Sequence, residues 1–306
     1  MVKLGVAITA AVVAVLVAEW LRHRKHTLPA YGWLALAALA GAEWLMFRGV
    51  EPVATFFTPV AWTAYLLLAD AAIFAVKGNS PLRREPLELA KMAALSVPLW
   101  LIFEAYNLRL ANWAYAGLPE NWFLRNLGFA WSFATITPAI LMTAELIESF
   151  GWFVQPAKAL KLSRNAETSL LASGLLCLTV PVLLPWEMGA YLFALVWIGF
   201  ALLLDPINAR LRLPSVIADF EQGRRGRFFS LLLAGFVCGW LWEFWNQWAH
   251  AKWIYVFPMF QQWKIFQMPA PGYLGFPPFA VECFCMYVTA SWALRKIFPY
   301  HQPSNR

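Results

Sequence analysis

Glu243 and Asn246 stand three residues apart in GWLWEFWNQWAHAKWIY (239–255), among five tryptophans. That spacing puts both side chains on one face of a helix, and His250 continues the face. A carboxyl there suits general-acid work, an amide can orient it, and indole faces attract developing positive charge. A related stretch, WLIFEAYNLRLANWAY (100–115), carries Glu104 and Asn107 at the same spacing. A third acid, Glu282, follows two proline-rich turns in IFQMPAPGYLGFPPFAVECF (265–284). The candidate catalytic residues are therefore Glu243, Glu282 and Glu104, with Glu243 or Glu282 as the acid. Asn246, Asn107, Trp242, Trp245, Trp253 and Tyr255 are the candidate substrate-binding residues.

Each feature also has a plainer reading. Glu104 and Glu243 fall near the ends of apolar runs and can reach interfacial water. A Glu-x-x-Asn pair can serve as glue between helices, each contact worth about 0.6–2 kcal/mol. Tryptophans gather in belts at membrane interfaces without any ligand. Belts normally form at both interfaces, yet 11 of the 18 tryptophans fall toward one side. That excess favours an aromatic-lined pocket. No metal or cofactor is expected. The four histidines, His23, His26, His250 and His301, lie at run ends or in loops, which disfavours di-iron and haem chemistry. No glycine-rich phosphate loop, G-x-S-x-G or H-E-x-x-H occurs. Cys177, Cys238, Cys283 and Cys285 read as small apolar fillers.

The elements that must hold these residues are transmembrane helices. Of 306 residues, 61% are hydrophobic and 13% charged, against about 45–50% and about 25% in soluble domains. The apolar runs are continuous rather than alternating, so the expectation is an all-α polytopic bundle. Nine spans are expected: 2–21, 28–47, 54–75, 87–107, 127–147, 169–184, 186–205, 228–248 and 274–294, the weakest division being at Pro185. The first run is longer than the apolar core of a signal peptide, and no small-residue cleavage site precedes RHRKH. Loops on one side hold 17 of the 24 Lys and Arg. The positive-inside rule then puts the N-terminus outside and the C-terminus in the cytoplasm, in a membrane of the bacterial inner type. The net charge of +7 is explained by this bias, so no nucleic-acid partner is expected.

The chain also repeats itself. Glu104 and Asn107 match Glu243 and Asn246 at an offset of 139; Trp113 and Tyr115 match Trp253 and Tyr255 at 140. Leu127-Gly128-Phe129 matches Leu274-Gly275-Phe276 at 147, and Asp70 matches Asp205 at 135. The expected organisation is an extra N-terminal span (1–27) and two parallel four-span halves (28–168 and 169–306) facing across a central cavity. Outer loops 107–126 and 249–273, rich in Trp, Tyr, Pro and Phe, are expected to cap the opening. Asp205 reads as a helix-end contact and Asp70 as a better-buried acid.

IFQMPAPGYLGFPPFAVECF, with LLLDPINARL before it, resembles the small membrane-integral lycopene cyclases and related carotenoid enzymes over the last third of the chain. The resemblance implies repeated helical units and an isoprenoid substrate. It departs from that family's paired acids: Glu282 is followed by Cys283, and FAWSFATITPAI in the first copy carries no acid. Three functions stay open. One is an enzyme acting on a long apolar lipid, isoprenoid or carotenoid, by carboxylate acid–base chemistry. Another is a transporter or channel of parallel repeats. The third is a non-catalytic protein that binds membrane lipid or an apolar small molecule. The oligomeric state is not fixed by these features.

Overall fold

The computed structural model describes residues 1–298. In chain order the helices begin with α1 (Val2–His23), α2 (Ala30–Phe47), α3 (Phe57–Lys77), the short α4 (Pro81–Arg84) and α5 (Pro86–Leu110). Strand β1 (Trp113–Ala116) leads to α6 (Trp122–Ala134) and α7 (Ile136–Ser149). Then come α8 (Arg164–Leu183), α9 (Trp186–Gly189), α10 (Phe193–Arg210), α11 (Val216–Glu221) and α12 (Gly226–Trp248). Strands β2 (Lys252–Tyr255), β3 (Lys264–Ile265) and β4 (Met268–Pro269) precede α13 (Phe276–Ile297).

Among the described residues, eight helical segments are long and apolar enough to cross a membrane, α6–α7 and α9–α10 each counting as one. This makes the chain a multi-pass helical membrane protein. The ninth expected span is α13, which is 22 residues long but falls outside those eight. Pro277, Pro278 and Glu282 dilute its apolar character, and it is buried among α7, α10 and α12 instead. At the other extreme α1 is mostly exposed, as a lipid-facing helix is. The core lies where α3, α7, α10, α12 and α13 meet, around fully buried Trp62, Phe57 and Phe279.

The sequence accounts for the breaks. Leu184 is extended because it precedes Pro185, so the chain divides there, as expected. The span expected at 127–147 is a broken helix over 122–149 instead. Pro138 has no N–H with which to continue the ladder. Ser96 of α5 serves the interrupted backbone, donating to Phe133 O at 2.5 Å and accepting from Thr137 N at 3.0 Å. Gly235 of α12 lets α13 approach closely: a Cβ there would stand 2.2 Å from the Phe276 carbonyl oxygen.

Both membrane aspartates organise the end away from the strands. Asp70 is buried and accepts from Ser80 Oγ, Tyr31 OH and Leu82 N, fixing the start of α4. Asp205 accepts from Val216 N and Ile217 N, each at 2.8 Å, fixing the start of α11. Asp205 is thus buried as well, and its helix-end contact is with another helix.

Candidate functional site

The loops expected to cap the opening meet each other. β1 and β2 pair antiparallel, with Trp113 opposite Tyr255, Ala114 opposite Ile254 and Tyr115 opposite Trp253. Each strand is tied to the helix before it by the asparagine on that helix. Asn246 Oδ1 accepts from Trp253 N at 2.9 Å and its Nδ2 donates to Trp253 O at 2.8 Å. Asn107 Oδ1 accepts from Trp113 N at 3.0 Å and its Nδ2 donates to Trp113 O at 2.9 Å. Both amides therefore use donor and acceptor on one backbone residue, which fixes the loop rather than a neighbouring acid.

The glutamates fix the side chains of the same strands. Glu243, fully buried, accepts through Oε1 from Trp253 Nε1 at 3.2 Å and Tyr255 OH at 3.0 Å. Glu104 accepts through Oε1 from Trp113 Nε1 at 3.2 Å, Tyr115 OH at 2.5 Å and Trp100 Nε1 at 2.8 Å. Burial, then the neighbouring carboxylate, holds both Tyr115 and Tyr255 well above the ordinary phenol range. They remain protonated donors at neutral pH, so neither can act as a phenolate base.

These rings line a cleft that, with the open solvent at its mouth, encloses about 1070 Å³ of empty space. Trp113, Tyr115, Trp253 and Tyr255 form one wall; Trp62, Trp100, Trp197, Trp242, Phe276 and Phe279 extend it inward. The opposite wall is α6, contributing Arg125, Phe129, Ser132 and Phe133. Among the described residues, no carboxylate lines the cleft. Its polar groups are hydroxyls, indole N–H groups and two cations, Arg125 and Lys252. Among the described residues, Thr58 Oγ1, Trp62 Nε1 and Trp197 Nε1 are buried in this wall with no protein partner. Burial lowers the Lys252 ammonium below its ordinary value, and its Nζ donates to Gln247 O at 3.1 Å.

Of the candidate residues, Trp242, Trp253 and Tyr255 line the cleft, while Glu243, Glu104, Asn246 and Asn107 stand behind its wall. Trp245 lies elsewhere. It packs edge-on against Trp62 with ring centres 4.9 Å apart and donates to Glu43 Oε1 at 2.9 Å, joining α12 to α2. Glu282 is also apart from the cleft lining. It is fully buried and accepts from the Phe200 backbone N–H at 2.7 Å, bridging α13 to α10. The sequence reading missed the α6 wall. A signal was present: Arg125, Phe129, Ser132 and Ile136 recur at every third or fourth residue, one helix face, and all four line the cleft. No family model, curated protein or solved structure matches the chain.

Proposed function

We propose that this is an integral membrane protein that binds a single-chain lipid with an anionic head, of isoprenoid type, in the aromatic cleft. The observation that carries the reading is the lining. It is large, apolar and aromatic, it has no carboxylate, and its polar groups are hydroxyls and donors. An apolar chain fills such a space, and oxygens of a phosphate or carboxylate head suit the two cations of the lining, Arg125 and Lys252.

The arrangement is further read as two parallel halves, 28–168 and 169–306, with the cleft at their seam. Several equivalences support this. The β1–β2 ladder is centred on the matched residues Ala114 and Ile254, so that Trp113 faces Tyr255 and Tyr115 faces Trp253. The Glu–Trp–Tyr and Asn–Trp clusters are built alike. Asp70 and Asp205 each hold the start of a short helix that follows a serine, Ser80 or Ser215. One match is corrected: Leu127-Gly128-Phe129 lies inside α6, whereas Leu274-Gly275-Phe276 forms the turn into α13. The prolines at 138 and 278, offset by 140 near the starts of α7 and α13, align the halves better.

An enzyme acting on the same lipid is the second reading. The Tyr255–Glu243 and Tyr115–Glu104 hydrogen bonds favour it, since they connect the buried Glu243 and the half-buried Glu104 to the cleft wall. Mass spectrometry of lipids extracted from protein purified in mild detergent tests both. A single-chain anionic lipid enriched in the wild type and absent from Ser132→Trp, which fills the cleft, is expected. Bulk phospholipid alone, identical in both, overturns the reading. A chemically altered lipid in a Glu243→Gln, Glu282→Gln double variant favours catalysis.

A further inference from the structure

A second pocket opens at the other end of α12, remote from the β1–β2 ladder, with about 770 Å³ of empty space. It is lined by Glu148 from α7, Asp219 from α11, and Arg224, Arg225, Arg227 and Ser230 around the start of α12. That 23-residue helix has no side-chain cap and no acid in its first turn. Its first backbone N–H groups and the positive end of its dipole face an anion site. Two buried polar atoms in the same pocket have no protein partner. Ser230 is 1% exposed and its Oγ is unbonded. Arg225 Nη1 is also unbonded, although its guanidinium is held in place. It lies over the Phe220 ring at 3.9 Å and donates through Nη2 to Lys158 O at 3.0 Å.

The remaining charges narrow the ligand. Arg224 and Arg227 are engaged by Asp219, at 2.6 and 2.8 Å, so among the described residues lining the pocket the cation without a carboxylate partner is Arg225. Glu148 has no ion-pair partner among the described residues, and its Oε1 faces Gly226 at the α12 start. A purely anionic head would meet this carboxylate and be repelled. A head carrying phosphate and a hydrogen-bonding ammonium close together meets both groups correctly.

We infer that this pocket binds the phosphoethanolamine head of a membrane phospholipid. The phosphate lies on Arg225, Ser230 and the α12 N-terminus, and the ammonium on Glu148. Basic pockets between helices on the cytoplasmic side commonly take lipid heads, and this one adds an acid that selects a zwitterion.

The test is native mass spectrometry of the delipidated full chain titrated with phosphatidylethanolamine, phosphatidylglycerol or phosphatidylcholine of identical acyl chains. The wild type is expected to retain phosphatidylethanolamine about tenfold better than the other two, one charged hydrogen bond's worth. Arg225→Gln is expected to lower retention of all three, with Ser230→Ala acting in the same direction at smaller cost to folding. Glu148→Gln is expected to abolish the preference over phosphatidylglycerol. Equal or better retention of phosphatidylglycerol by the wild type overturns the inference. So does undiminished retention of phosphatidylethanolamine by both Arg225→Gln and Ser230→Ala in variants that elute as monodisperse folded protein. Displacement by micromolar soluble O-phosphoethanolamine would overturn the lipid assignment in favour of a free solute.

Discussion

Asn246 illustrates how a polar side chain earns a place in a membrane helix. Its amide meets both backbone groups of Trp253 and so sets where the following strand begins. Replacing it with alanine leaves a buried N–H and C=O to find other partners, at about 1–3 kcal/mol. Asn246→Ala is therefore expected to lower the thermal midpoint in detergent and to loosen the cleft wall, measured by tryptophan fluorescence unfolding. The two tyrosines give a pH test. Their folded-state phenol pKa values lie above the unfolded value near 10, because burial and a neighbouring carboxylate disfavour the anion. A raised folded pKa means a stabilising contribution that is complete below the unfolded value and lost as pH rises through the folded one. The Tyr115→Phe, Tyr255→Phe double variant should therefore show the same tyrosinate absorbance as the wild type between about pH 9 and 11 while both stay folded. A missing share of that signal in the variant would show that the phenols titrate normally and are not buried against the acids.

At the level of elements, the strand pair depends on a turn that only glycine fits. Gly117 has φ +67°, and a Cβ there would stand 2.2 Å from His250 O. Gly117→Ala is expected to cost more than about 1 kcal/mol from backbone strain alone, with the clash in addition. Lower thermal stability and weaker lipid retention should appear together, since this turn holds β1 against the loop before β2. The Ser96 bridge belongs to the same level. Ser96→Ala removes the side chain that bridges Phe133 O and Thr137 N, and it should destabilise by about 1–3 kcal/mol. Its effect on lipid binding should follow, because the break it supports aims α6 into the cleft. Ser96→Thr, which restores a hydroxyl, provides the contrast: recovery would assign the loss to the hydrogen bonds.

Across the membrane the two pockets divide the protein into a strand-capped end and a basic end. By the positive-inside rule the strand-capped end is expected outside. Single cysteines introduced at Leu118 and Lys161 in a variant freed of native cysteines test this directly. The first should react with a membrane-impermeant maleimide in intact cells and the second only after permeabilisation; the reverse pattern would invert the topology. The cleft depends on segments far apart in the chain, because its walls come from β1, β2, α6 and the start of α13 together.

Membrane residence, helical class and the position of most spans follow from composition and apolar run length, since lipid requires every backbone group to be bonded within its own segment. The paired Glu-x-x-Asn elements were legible too, because three-residue spacing fixes a shared face before any packing occurs. What those residues face was not legible. Glu243 and Asn246 read as a site from spacing, yet they turn to their own following loop, a choice set by the pairing of β1 with β2, two strands far apart in the chain. The same holds for Glu282, committed to a backbone N–H of α10, and for Trp245, packed on Trp62. The cleft itself exists only where distant elements leave space between them. Spacing along a chain gives direction around one helix axis; it carries no information about which neighbour stands there.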